Sequence, residues 1–318
     1  MLGVVVALSL ALGTRAIGIG AVVQALVDPV AGLADHAVVR DLRVPRTVIG
    51  LLAGLGLGLA GAVTQGITRN PLADPGLLGV SAGASLAVVV AITWLGVTSP
   101  GGYIWFALAG AALASALVYG IAAGGPGGAS PITLALAGTA TAAALMSVIT
   151  VVLLSDVDTL NRYRFWSVGS LVGRDLSVAG ALWPYLAAGV VLAAGTARTL
   201  NALTLGDDVA RGLGQRVGLL RAVAAVGVVL LAGTATALAG PILLLGLMVP
   251  HLARRLTGPD YRWVIASSAV LGPILLLGAD VVGRLVLRPA ELEAGLVVAF
   301  LGAPVLIMLV RRARLAGL

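Results

Sequence analysis

One short stretch of this chain has the form of a hydrolytic nucleophile. Gly79-Val80-Ser81-Ala82-Gly83 matches the Gly-x-Ser-x-Gly pattern, in which a sharp strand-to-helix turn exposes a serine hydroxyl. That chemistry needs a strand before the serine and a histidine and an acid beside it, whereas the surroundings here are an apolar helix. The two histidines, His36 and His251, stand far apart, and there is no cysteine, so no set of metal ligands has workable spacing and direct metal ligation is not expected. No Gly-x-x-x-x-Gly-Lys-[Ser/Thr] loop occurs; if ATP drives this protein, the nucleotide site lies on another polypeptide. The remaining chemistry is that of charge. The chain has 20 basic residues, all arginine, and 13 acidic ones. Arginine's planar fork suits bidentate pairing with carboxylates.

The elements that carry these groups follow from the solvent the chain tolerates. Of 318 residues, 59% are hydrophobic and 10% charged, where a soluble domain would carry roughly 25% charged residues. About 30 Å of hydrocarbon takes roughly 20 apolar residues at about 1.5 Å per residue. Ten stretches qualify, near residues 1–13, 47–67, 77–97, 104–123, 131–154, 177–197, 219–238, 240–253, 263–283 and 294–310. The first reads as a short span rather than a secretory leader, since no basic region precedes it and no small-x-small cleavage site follows. The eighth is interrupted by Pro250 and His251. Glycines inside the stretches, such as Gly54, Gly58, Gly61 and Gly83, predict close helix packing. The expected fold is an all-α polytopic membrane protein forming one domain over residues 1–318.

An even number of spans puts both ends on one side. With the ends in the cytoplasm, Arg69, Arg198, Arg211, Arg216, Arg221, Arg254, Arg255, Arg262, Arg311, Arg312 and Arg314 lie inside, and the whole net charge of +7 lies there too. Its dispersal over short loops points to topology and contact with anionic lipid rather than nucleic acid. Three connections exceed simple turns. Residues 14–46 predict an interfacial helix carrying Ile17, Ile19, Val22, Val23 and Leu26; the second is 155–176. The third, 198–220, has Gly206 and Gly214 punctuating two short helical pieces, a plausible docking surface. An intramembrane enzyme or a secondary transporter would need ionisable groups paired at membrane depth, and none is seen.

The run from Arg69 to Ser85, with its Asn70-Pro71-Leu72-Ala73-Asp74-Pro75 core, resembles the FecCD family of ABC permeases. Further matches follow in order: Arg43-Val44-Pro45-Arg46, Phe165-Trp166-Ser167-Val168-Gly169-Ser170-Leu171, Leu205-Gly206-Asp207, Gly240-Pro241-Ile242, Pro250-His251-Leu252-Ala253-Arg254 and Gly302-Ala303-Pro304-Val305. They span nearly the whole chain. The resemblance implies a type II ABC importer permease in a bacterial cytoplasmic membrane, making no bonds and holding no cofactor. It implies a second permease copy or paralogue, two ATPase subunits that use ATP and Mg, and an extracytoplasmic substrate-binding protein. Family members import iron siderophores, haem and vitamin B12. The pattern Arg288-Pro289-Ala290-Glu291-Leu292-Glu293 before the Gly-Ala-Pro turn favours a ferric siderophore, with haem or cobalamin as the alternative.

The two prolines at 71 and 75 forbid regular helix there, so the segment must be a loop. By resemblance it forms part of a cytoplasmic gate with Asn70 and Leu72 at the constriction, and the loop from Gly124 to Ser130 supplies the other half; a turn capped by Asn70 is the plainer reading. Arg43, Arg46 and Arg284 fall at outer helix ends, where the resemblance implies that they receive acidic side chains of the binding protein. The alternatives are snorkelling and, for Arg284, a local pair with Asp280 four residues earlier. Leu205, Gly206, Asp207, Ala210, Leu213 and Gly214 are the expected ATPase contact patch. His251 reads as a hydrogen-bonded helix-end residue.

Overall fold

The computed structural model describes residues 1–30, 32–97, 99–125, 129–173 and 175–315, and among them every regular element is a helix. In order these are α1 (Leu2–Ala11), α2 (Ile19–Val27), α3 (Ala34–Ala37), α4 (Val44–Thr68), α5 (Val80–Thr93), α6 (Pro100–Gly124) and α7 (Pro131–Ser155). They continue with α8 (Val157–Ser167), α9 (Leu176–Thr204), α10 (Asp207–Gly212), α11 (Val217–Ala239), α12 (Leu245–Thr257), α13 (Tyr261–Val286) and α14 (Ala294–Leu315). Side-chain caps start several of the long helices, α7, α9 and α13 among them, by satisfying amides that no helical carbonyl reaches. Ser130 Oγ accepts from the Thr133 amide (3.2 Å) ahead of Pro131, Asp175 from Ser177 (2.9 Å) and Asp260 from Arg262 (2.9 Å).

At the centre stands α4, with α9, α11, α12 and α13 packed around it. Gly54, Gly58 and Gly61, spaced four and three apart, share one face of α4. A Cβ at Gly54 would sit 2.7 Å from Pro273 N, and one at Gly58 would sit 2.6 Å from Ser268 O; one at Gly61 would strike the Gly246 backbone. Helices in lipid have no hydrophobic drive toward one another, so this backbone-to-backbone approach supplies the contact energy. Gln65, 1% exposed, holds α12 to the same helix: its Nε2 donates to Leu247 O (3.2 Å), and its Oε1 accepts from Arg254.

Among the described residues, six helices are long and apolar enough to cross a membrane, and α1, α5 and Ala294–Met308 are shorter apolar ones. The expected span at 77–97 contracts to Val80–Thr93. Its first residues instead form a 3-10 turn (Pro75–Leu78) closed by Gly79 at φ 76°. The span expected at 240–253 is displaced to α12. Gly240 ends α11 at φ 77°, and the backbone stays irregular until Leu244, itself left-handed at φ 66°. The predicted helix in 14–46 is α2, which buries Val22 and Ala25 beside Ile17 and Val39 in a small cluster of its own. The chain then runs through α3 and a wide π turn (Val38–Arg43) directly into α4.

Candidate functional site

At the end of the bundle that carries α10, short side chains fix the shape of the loop after α4. Asn70 Oδ1 accepts from the Leu72 amide (2.9 Å), and Asp74 Oδ1 accepts from Gly76 (2.8 Å). Arg69 ends α4 in the left-handed region at φ 50°. Burial raises the Asp74 carboxyl above the usual carboxylate range, against the lowering pull of the Gly76 amide. Asn70 is exposed and Leu72 half-buried, as a loop tip would have them. Ser130 caps α7. Residues 126–128 of the loop expected to complete the gate lie outside the described residues. The loops are tied together through α7: a Cβ on Gly138 would strike Leu77 O in the 3-10 turn.

Because Ser130 caps a helix, this observed role and its expected place in the gate separate experimentally. Ser130→Ala should cost about 1 kcal/mol, read as a lower melting temperature in detergent. Ser130→Asp, which keeps an acceptor, should melt like the parent. An equal loss in both would assign the hydroxyl a role beyond capping.

The segment 198–220 contains α10, entered at Gly206 (φ 107°) and left at Gly214 (φ 79°). Leu205 and Leu213 are exposed, and Val209, midway between them, is exposed too. Leu205 precedes the glycine that opens α10 and Leu213 follows its last residue, with Val209 on the helix between them, so Val209 joins the exposed apolar patch that the sequence reading gave to its neighbours. Ala210 is fully buried, and Asp207 turns inward. Its carboxylate takes two bonds from Arg221 (2.9 and 3.0 Å) and lies 3.4 Å from Arg69 and 4.0 Å from Arg211. Arg221 also reaches Ala129 O (3.4 Å), so one carboxylate joins α10 to the first residue of one loop and, through Arg221, to the other.

The opposite end holds Arg43, Arg46 and Arg284, and their placement corrects the expectation that they greet a binding protein. Arg284 is 2% exposed and Arg43 5%. Arg46 donates to both Asp280 oxygens (2.7–3.0 Å) and to Glu291 (2.6 Å). Arg284 pairs with Asp280 (2.9 Å), the i,i+4 partner anticipated as the plainer reading, and donates to Ser9 O, Leu12 O and Ser9 Oγ (each 2.9 Å). Arg43 donates to Leu10 O, Ala11 O and Arg15 O (2.6–2.8 Å). The last carbonyls of a helix have no amide partner and carry its negative dipole end. Two guanidiniums cap α1 at that point. At this end, Arg40 and Arg162 remain exposed.

A family model described as the FecCD transport family matches residues 1–312. The chain belongs to the FecCD transport family. It is 44% identical over 318 residues to the ferric enterobactin transport system permease protein FepD of Escherichia coli (strain K12), covering 100% of this chain and 94% of that protein. It is 34% identical over 279 residues to the hemin transport system permease protein HmuU of Yersinia pestis, covering 86% and 83% respectively. A solved structure described as an inward-facing conformation of a metal-chelate type ABC transporter superposes with a TM-score of 0.84 at 25% identity, covering 98% of this chain and 96% of that one. This FecCD chain is thus a multi-pass membrane protein of a transport family. Two of its site residues escaped the sequence reading. Val209 stands between two leucines already named for the patch, whereas Arg221 is 14 residues from Asp207 and had no local signal.

Proposed function

We propose that this chain is the membrane permease subunit of an ATP-binding cassette importer that carries ferric siderophore complexes across the cytoplasmic membrane. The α10 end faces the cytoplasm in this reading. The observation that carries it is the exposed apolar patch of Leu205, Val209 and Leu213, on and beside a short helix whose Asp207 is wired to both loops. An apolar face on a charged end needs a partner, and the wiring gives that partner a lever on the loops. Two ATPase subunits, which use ATP and Mg, dock there. A second permease, identical or paralogous, encloses the pathway, and an extracytoplasmic binding protein delivers the substrate.

The pathway wall falls to α7. Residues 131–155 carry no charge, and Thr139, Ser147 and Thr150 lie exposed along the helix. Each donates to a carbonyl one turn back (2.8–3.0 Å), leaving lone pairs outward. Such a weakly polar wall passes a large chelate without holding it. Siderophore is favoured by the 44% identity to FepD over the whole chain, against 34% to the hemin permease.

Reconstitution with the cognate ATPase and binding protein tests this directly: ATP-dependent uptake of labelled ferric siderophore is expected, without uptake of haem or cobalamin. Uptake of haem alone would overturn the substrate, and no uptake of any of the three would overturn the importer. Independently, Val209→Asp should weaken ATPase association at least about tenfold, as loss of a central apolar anchor does. Unchanged association would remove the docking role of α10.

A further inference from the structure

A cavity of about 590 Å³ opens between α9 and α13 with Leu59 of α4 as its floor. Its walls include Val190, Ala194 and Ile265, and two arginines, Arg198 and Arg262, stand at the α10 end. Along α9, the eight steps from Val190 to Arg198 rise about 12 Å, so the groove runs from the level of these arginines well into the apolar slab. The helices α7 and α14 do not frame it.

We infer that this groove binds one anionic phospholipid, its acyl chain along Leu59, Val190 and Ile265 and its phosphate between Arg198 and Arg262. The charge complementarity is specific to this end. No carboxylate among the described residues is paired with Arg198, which is exposed. Arg262 stands 4.0 Å from Asp260 through Nε alone and is 60% exposed. Asp260 Oδ1 is already engaged, accepting from Asn201 Nδ2 (2.7 Å) and from the Arg262 amide (2.9 Å). Two guanidinium forks therefore face outward over an apolar trough. A phosphate diester satisfies forks of that shape, and basic pockets between helices on the cytoplasmic side hold anionic headgroups in this way. A free anion would have no use for the trough. A lipid fills both parts.

Gly195 supplies a clean test, because it lines the groove and a Cβ added there meets no protein atom within 4 Å, so a larger side chain there takes up groove space. The full chain, purified in detergent and exposed in turn to phosphatidylglycerol and phosphatidylcholine, is weighed by native mass spectrometry. One retained phosphatidylglycerol per chain is expected, with phosphatidylcholine retained far less. R198Q/R262Q and, separately, Gly195→Leu should each reduce that retention about tenfold or more. Equal retention of the two lipids, retention unchanged in both variants, or displacement of the lipid by inorganic phosphate would overturn the assignment. Should R198Q/R262Q fail to purify, Gly195→Leu decides alone, since it leaves both arginines and all packing contacts in place.

Discussion

An Asp280→Leu variant should scarcely accumulate as a folded protein. Asp280 is fully buried and is the carboxylate that Arg46 and Arg284 share; their side chains are 10% and 2% exposed. Leucine would leave two guanidiniums in one dry site with only Glu291 to balance them. Removing one partner of a buried ion pair costs about 3–5 kcal/mol, because the surviving charge loses its counterion without regaining water. That is a large part of the roughly 5–15 kcal/mol that keeps ordinary domains folded. The damage would spread, because Arg284 also caps the carbonyls of α1 and bonds Ser9 Oγ, which in turn meets Thr47 Oγ1 at 2.8 Å. Glu291 is an internal control: at 28% side-chain exposure it makes one bond to Arg46, so Glu291→Gln should cost about 1 kcal/mol or less. Size-exclusion profiles and melting curves in detergent measure both. If Asp280→Leu melts within a few degrees of the parent, the buried network does not hold this end together.

The same network shows where sequence reasoning reaches and where it stops. Apolar stretches such as Val217–Ala239 and Tyr261–Val286 were legible because lipid admits no backbone with unpaired polar groups, and this forces long uninterrupted helices. The Asp280–Arg284 pair was legible from its i,i+4 spacing. The Arg46–Asp280 contact joins residues 234 apart, and no local pattern announces it. For the same reason Arg43 and Arg46 looked like free cations at a helix start, although their partners are carbonyls of α1 and carboxylates near the other end of the chain. The displaced α12 is a different case: Gly240 and Leu244 take left-handed backbone that turns an apolar run into coil, and an apolar composition alone does not reveal it. At α10 the motif located the element correctly. It did not say which face was out, because Asp207 points inward only once Arg221 has come alongside from α11.

That inward turn leads to the last expectation: Asp207→Asn should leave the ATPase docked and idling while transport falls about ten- to hundredfold. The exposed Leu205, Val209 and Leu213 are untouched by the change, so assembly should persist. What disappears is the charge that holds Arg221, 6% exposed, and Arg69 to α10. Hydrogen bonds to charged groups contribute about 1.5–3 kcal/mol, and at about 1.4 kcal/mol per factor of ten that is the stated range if the whole term is lost from coupling. Motion of α10 would then no longer be imposed on Arg69 beside Asn70, nor on Ala129 beside Ser130. Uptake and ATP hydrolysis measured on the same proteoliposomes separate the outcomes. Hydrolysis retained with uptake lost supports a mechanical link through Asp207. Loss of assembly would instead return Asp207 to the docking face, and normal uptake would remove it from the mechanism. The exchange Asp207→Arg with Arg221→Asp should recover part of the uptake, because an attraction between α10 and α11 is restored with its polarity reversed.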